Sequence, residues 1–529
     1  MKNKTNLLEG RRLALQSDLD AGKSQSDRNR MGQFATPTGL AIDMLQYAKT
    51  QLKKNERIRF LDPAIGTGSF YSALLDVFPK RSITRAVGYE IDPYYGAHAA
   101  ELWGGTGLQV HMEDFTRGEP PLGAEKFNLL ICNPPYVRHH HILNEEKHRL
   151  RSLTRDACGV EINGMAGLYC HFLGLCHAWM AEGGLAGWLM PSEFMDVNYG
   201  AAIKRYLLDK VTLEHIHRFD PSNVQFGDAL VSSAIVWFRK KIPPRNHEPR
   251  FSFGGTLERP QLERRVAADV LRRDPKWTRY PVKTGYDVSK APVLGEFFTV
   301  KRGLATGNNS YFILSDEEIR KRSLPAEVFR PILPSPRYLP EDEIAADWRG
   351  NPVLARRLFL LDCQLGEAEI EKRYPNLWAY LEEGKAEGVA DRYLCRHRKP
   401  WFSQENRRPA PFVCTYLGRS DTKSGRPFRF ILNHSQATAA NVYLMLYPKQ
   451  SLHRALQEYP AFKEKVWKVL NEICPKAMLG EGRVYGGGLY KLEPKELAKV
   501  PAAAIAELLL EAARLTGEQQ IKPFEASAV

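Results

Sequence analysis

Short apolar runs recur along the first half of the chain, and most of them stop at an acid, a glycine or a proline. Ile58 to Leu61, Arg85 to Tyr89, Val110 to Phe115 and Phe127 to Cys132 read as strands. The pattern continues with Leu185 to Met190, Val211 to His217 and Ser232 to Phe238. Between them lie stretches of helical period. Leu40, Ile42, Met44, Leu45 and Ala48 follow Thr36-Pro37, a sequence that predicts an N-cap with proline at the first helical position. Leu168 to Met180 reads as a buried helix that Gly183-Gly184 turns into the next strand, and Ala201 to Leu208 as an amphipathic helix. Residues 1–30 are polar with mixed charge. Their apolar minority (Leu7, Leu8, Leu13, Leu15) permits a short helix on a solvated arm, with contact to a DNA backbone as the sharper alternative. Lys240 to Arg245 reads as a linker, which divides the chain into an arm of 1–30 and two domains of 31–242 and 243–529.

Composition narrows the class. A length of 529 residues exceeds one ordinary domain, and 43% hydrophobic content allows sizeable cores, which argues against wholesale disorder. A formal net charge of +14 favours a polyanionic partner. The eight cysteines include no CxxC pair, so they point to reduced, buried thiols and not to a zinc ribbon or redox motif. The most apolar long window, Gly167 to Met190, is interrupted by His171, His177 and Glu182, and reads as core, not as a membrane span.

The richest chemistry stands at the strand ends. Phe127 to Cys132 runs directly into Asn133-Pro134-Pro135-Tyr136. This rigid loop offers the Asn133 amide, a Pro134 carbonyl with no ladder to consume it, and the Tyr136 ring. Two acceptors beside a flat aromatic suit a planar molecule with an exocyclic amine. Asp62-Pro63-Ala64-Ile65-Gly66-Thr67-Gly68 closes the first strand, and Gly66 and Gly68 allow a ligand close to the backbone. It lacks the third glycine of a dinucleotide fingerprint, and its Asp62 would repel a pyrophosphate. Glu90-Ile91-Asp92 ends the second strand, where ribose hydroxyls are bound in doubly wound folds. Asp114-Phe115 ends the third, an acid and an aromatic suited to an adenine. The triple histidine 139–141 has no Cys or acid at ligand spacing, so no metal is expected.

In this order QFATP, DPAIGTG, GYEID, EDF and NPPY resemble the gamma-class N6-adenine DNA methyltransferases, which include modification enzymes of type II restriction-modification systems. The resemblance covers residues 31–240. It implies an α/β, seven-stranded, Rossmann-like methyltransferase domain followed by a mixed α+β target-recognition domain. It implies S-adenosylmethionine as cofactor, held near Thr36, Pro37, Asp62, Pro63, Ala64, Gly66, Gly68, Glu90, Ile91, Asp114, Phe115, Asn133 and Pro135. Phe172 falls where the family often lines the cofactor pocket, with core packing as the alternative. A flipped-out adenine would meet Asn133, Pro134 and Tyr136. Phe226 is similar in placement to an aromatic that stacks on that base, and a hydrophobic plug is its other reading. Implied besides are double-stranded DNA as partner, a cognate endonuclease acting on the same site without a stable complex, a monomer, and the bacterial cytoplasm.

The second half resembles the family's recognition domains only loosely. Val300 to Asn309 is a turn rich in Gly, Asn and basic groups, with Arg302 and Asn308 suited to DNA contact. Between Asp391 and Phe430 ten Lys/Arg face three acids, with Tyr393, Trp401, Phe402, Tyr416 and Phe428 interleaved. That balance suggests a nucleic-acid surface around Arg396, Arg398 and Lys399. Arg138, beside the histidines, suits phosphate. Asn433, His434 and Gln436 are base readers or loop residues. RNA-adenine and protein-glutamine methylation remain alternatives, because both transfer a methyl group to a planar amine. A DNA-binding factor with an inert methyltransferase half is the non-enzymatic one.

Overall fold

The computed structural model describes residues 2–220, 232–281, 291–419, 426–485 and 488–515. The chain divides into two compact units, residues 1–285 with 485–487, and 286–484 with 488–529.

The first unit is built on a nine-stranded sheet. In chain order its strands are β1 (Ile58–Asp62), β2 (Ile83–Tyr89), β3 (Leu108–His111), β4 (Phe127–Cys132), β5 (Met180–Pro191), β6 (Thr212–Arg218), β7 (Ser233–Arg239), β8 (Arg250–Gly255) and β9 (Pro260–Arg265). Their spatial order is 3-2-1-4-5-7-6-8-9. β1 to β5 run parallel, and β7 lies antiparallel between β5 and β6. The seven expected strands are therefore present, and β8 and β9 extend the sheet past β6.

Alternation along the central strands separates two cores. Phe60, Leu129 and Ile131 pack on one face with helix α3 (Thr38–Gln51), α4 (Ser69–Val77) and α5 (Pro93–Trp103). Leu61, Leu130 and Cys132 face the opposite layer, which includes α6 (Asn144–Cys158) and α7 (Leu168–Trp179). A side-chain period of two on a sheet covered on both faces demands this arrangement, and it explains why β4 is buried throughout.

Three expectations are corrected. The first unit does not end at Lys240 to Arg245: β8 pairs with β6 and carries it on to Gly285. β3 stops at His111, which leaves Met112 to Phe115 beyond the strand. The N-terminal residues are not a solvated arm. They form α1 (Lys2–Ala21), which packs against α4 and α5, and α2 (Gln25–Met31).

The second unit is mixed α+β. Its five-stranded sheet has the order 298–302, 443–448, 412–415, 430–433, 343–344, backed by helices at 450–458, 462–472 and 503–515. A three-stranded sheet of 313–315, 358–361 and 329–332 carries a separate core. Among the described residues no helix is long and apolar enough to cross a membrane.

Candidate active site

Chain order makes the site. From β1 the chain proceeds outward through β2 to β3, then returns so that β4 lies on the other side of β1. The crevice outside the carboxyl ends at such a reversal is where open α/β sheets bind ligands. Phe60 and Leu61 pair with Leu129 and Leu130, so this register sets the glycine turn after Asp62 beside the NPPY loop after Cys132.

Asn133 is the best-defined group there. Its Nδ2 donates to Phe34 O at 2.9 Å and to Thr36 Oγ1 at 3.1 Å, which fixes the amide plane. The Oδ1 atom is buried and has no hydrogen-bond partner. A buried acceptor left unpaired costs on the order of 1–3 kcal/mol, so an unpaired oxygen at a ligand crevice marks a place for a donor. Thr36 is accordingly not the helix cap that Thr36-Pro37 predicts. Helix α3 starts at Thr38 with Pro37 as its N-cap, and the Thr36 hydroxyl is turned to Asn133.

Packing holds the rest of the loop. The Tyr136 ring is buried 5.7 Å from the Phe34 ring, and its hydroxyl donates to Leu189 O at 3.2 Å. Tyr136 N donates to Gly32 O at 3.2 Å. Gly32 has φ 66°, and a Cβ there would stand 2.3 Å from Tyr136 N. Only glycine permits this approach. Pro134 is buried and Pro135 half-buried, while Arg138 is exposed at the start of the histidine turn.

On the β1 side, Asp62 is buried and accepts from Ala64 N at 3.2 Å. Burial, opposed by that N–H and reinforced by the charge of Glu90, raises its pKa to about 8. Pro63 is buried and Ala64 half-buried in the turn. Gly66 has φ 54° with open space where a Cβ would stand, and its N–H meets Glu90 Oε2 at 3.0 Å. Gly68 leads into α4. Burial also pushes the Glu90 carboxyl up, against the N–H groups of Asp92 and Gly66. Asp114 accepts from Thr116 N and Oγ1 at 2.9 and 2.8 Å.

Two aromatics of the expected cofactor set are buried in one cluster. Phe115 packs on Tyr89, Phe172 and Trp179, and Phe172 lies in the same cluster. The residue that sequence reasoning missed is Met112. It lies with Glu90 over Gly96 and is 53% exposed, and Ile91 is 56% exposed. Two open apolar side chains at strand ends offer a planar base a seat. The early stop of β3 frees Met112, and the sequence carried no signal of that stop.

In the second unit, two segments separate in sequence meet. Arg398 donates to Thr306 O at 2.8 Å, to Ala305 O at 2.6 Å and to Gln404 Oε1 at 3.2 Å. It is thus engaged inside the unit and is not an open DNA contact. Arg302 is exposed, 4.1 Å from the Tyr416 ring centroid, with its Nε bonded to Asn441 O. Asn308 is half-buried and accepts from Ser310, while Arg396 and Lys399 are exposed. Asn433 is buried and bonded to Ala410 O and Ala437 O, which makes it scaffold and not a base reader. Phe226 lies outside the described residues. Among the described residues no group of three or more His, Cys, Asp or Glu is placed to hold a metal ion.

The strand order with its antiparallel β7, and the site at the β1/β4 reversal, define an S-adenosylmethionine-dependent methyltransferase fold, extended here by two strands and followed by a second unit. The Eco57I restriction-modification methylase family matches residues 99–225. The C-terminal domain of type II methyltransferase M.Eco57I matches residues 285–522, which begins where the second unit begins. Type II methyltransferase M.XamI of Xanthomonas campestris pv. amaranthicola is 27% identical over 90% of this chain and 86% of its own length. M.AccI of Acinetobacter calcoaceticus is 25% identical over 92% of this chain and 88% of its own length. In fold the chain is similar to the type IIL restriction-modification enzyme MmeI, solved in complex with DNA. That likeness has a TM-score of 0.51 at 14% identity, and covers 92% of this chain and 74% of that one. Both family models and both relatives are type II restriction-modification methylases, and the chain is similar to them over most of its length.

S-adenosylmethionine is the cofactor of this class, and the residues present fit it. Gly66 leaves room for a ligand, and Ile91 and Met112 offer apolar surface. Asp62, Glu90 and Asp114 are acceptors of the kind that its ammonium, hydroxyl and amine groups would need.

Proposed function

We propose that the chain is a gamma-class, site-specific DNA methyltransferase that methylates N6 of a flipped-out adenine in duplex DNA, as the protective modification enzyme of a restriction-modification system. One observation carries the reading: Asn133 Oδ1 is buried without a partner while Phe34 and Thr36 hold its amide nitrogen. An acceptor fixed in this way takes one hydrogen of an exocyclic amine, and the Pro134 carbonyl takes the other. Held on both, the amine keeps its lone pair out of the ring and available for attack. S-adenosylmethionine, when bound, supplies a methyl group already activated on a sulfonium, so orientation provides most of the catalysis. Tyr136, fixed by Phe34 and Leu189, gives the extracted base a flat partner worth ~1–3 kcal/mol, with Phe226 as a second. Extracting the base costs a few kcal/mol. Phosphate contacts from the exposed Arg302, Arg396 and Lys399, from Asn308 and from Arg138 near the loop offset that cost.

The test is transfer of tritiated methyl from S-adenosylmethionine to bacteriophage DNA, total RNA and protein in parallel, followed by digestion of the DNA to nucleosides. N6-methyl-deoxyadenosine is the expected product. Label confined to RNA or to glutamine would overturn the substrate and leave the fold standing.

A further inference from the structure

Arg12 is 1% exposed, although it lies in a helix of predominantly polar sequence. A buried guanidinium left alone costs several kcal/mol, so its partners are informative. Glu9 takes two of its bonds, at 2.8 and 2.7 Å. The others leave α1: Nη1 donates to Thr67 Oγ1 at 3.2 Å, and Nη2 to Thr38 Oγ1 at 3.1 Å. Thr38 in turn donates to Glu9. Thr67 is the residue between Gly66 and Gly68. Its hydroxyl also donates to Gln16 at 2.6 Å, and its carbonyl accepts from Trp103 Nε1 at 2.9 Å. The middle of the glycine turn is therefore held by α1 on one side and by α5 on the other.

The same face of α1 continues the pattern. Glu9, Arg12, Gln16 and Asp20 follow one another at helical spacing. Asp20 accepts from Tyr95 at 2.8 Å. Just past the helix, Lys23 pairs with Asp92, and Gln33 donates to the same carboxylate at 2.8 Å. Although burial acts the other way, these bonds hold Asp92 below the usual carboxylate range. One polar stripe thus ties together the start of α3, the glycine turn and the Glu90–Asp92 turn, three of the five segments expected around the cofactor. An apolar stripe would serve stability as well or better. What the polar one adds is fixed geometry, which removes part of the entropic cost of ordering these turns around a ligand.

We propose that α1 is a built-in strap of the cofactor site and that Arg12, paired with Glu9 and acting through Thr67 and Thr38, is a positioning residue for S-adenosylmethionine binding. The inference rests on the methyltransferase reading above. Its test uses the full chain and the paired variant Glu9→Gln/Arg12→Met, which removes both charges of the pair while keeping volume. Cofactor affinity is measured by calorimetry, alongside KM for the cofactor, kcat at saturating cofactor, and Tm. The expected result is cofactor affinity weaker by roughly tenfold or more, KM raised in step, and kcat within about twofold. Leu271→Ala, in a buried position on residues 268–273, serves as a destabilised reference whose affinity stays at the unaltered value. If the paired variant does not fold, Thr67→Val cuts the link to the turn while leaving the Arg12–Glu9 pair intact, and the same loss of affinity is expected. Lowered Tm with unchanged affinity and KM would overturn the inference and leave Arg12 a packing residue. Failure of the unaltered chain to bind S-adenosylmethionine would instead overturn the underlying reading, and this inference with it.

Discussion

In the first unit the candidate segments stand at the ends of neighbouring strands, and chain order brings them together at the β1/β4 reversal, with side chains of α1 bracing the turns. In the second unit the turn around Thr306 is completed by Arg398, which reaches back 92 residues to bond it. One site follows from topology and the other from long-range side-chain contacts. The difference has consequences for substitution. Where topology places the groups, a single side chain can be removed with the frame intact, so the loss falls on chemistry. Where side chains hold the surface together, the same charge type acts as scaffold at one position and stands exposed at the next.

The sharpest way to break the comparison is Asn133→Ala. The frame around it is backbone and packing, so S-adenosylmethionine binding is expected to persist. Methyl transfer should fall by at least ~10–100-fold, since one oriented acceptor and the hold on the amine are lost. Turnover measured at saturating cofactor checks this. Unchanged turnover would sink the role given to Asn133.

A second test uses pH. Asp62 carries a pKa of about 8 in the folded chain against an ordinary 3.8. The folded state therefore holds a proton that the unfolded state releases from about pH 4, and Asp62 lowers stability as pH rises through that window. A cationic ligand favours the ionised form. Affinity for S-adenosylmethionine should then rise with pH up to about 8, by at most about tenfold per unit, and Asp62→Asn should flatten the profile. A flat profile in the unaltered chain would place the ligand's positive charge away from Asp62.

These contrasts also explain what the sequence disclosed. The strand ends and their acids were legible because each motif is contiguous: Asp62 to Gly68, Glu90 to Asp92, Asn133 to Tyr136. The partner that leaves Asn133 Oδ1 free was not, because Thr36 reads locally as a helix cap and only the fold brings its hydroxyl to residue 133. The strap escaped notice for a similar reason. Leu8, Leu15 and Leu19 turn the helix inward, but Arg12 among them looks like any surface arginine until Thr67 is beside it. The domain boundary slipped from 285 to 242 because Lys240 to Arg245 has linker composition, whereas β8 after it is recruited by pairing with β6.

The smallest effect separates the arginines of the second unit. Arg398 bonds two backbone carbonyls and Gln404, so Arg398→Ala leaves partly buried acceptors unpaired at a cost of about 1–3 kcal/mol. Tm should drop by on the order of 2–4 °C per kcal/mol. Arg396 and Lys399 are exposed; Arg396 lies 5.4 Å from the Tyr393 ring, and neither makes a described ion pair. Their alanine variants should melt as the unaltered chain does. If each neutralises one phosphate, each variant should bind duplex DNA a few-fold more weakly near 0.1 M salt, and the slope of log affinity against log salt should shrink by about 0.9. Fluorescence anisotropy across a salt series gives both quantities. A reduced slope for Arg398→Ala with unchanged melting would reverse the assignment, making that arginine the contact and the turn self-supporting. Unchanged slopes for Arg396→Ala and Lys399→Ala would instead move the phosphate contacts off this surface, because exposed charge that DNA does not neutralise leaves no trace in the salt dependence.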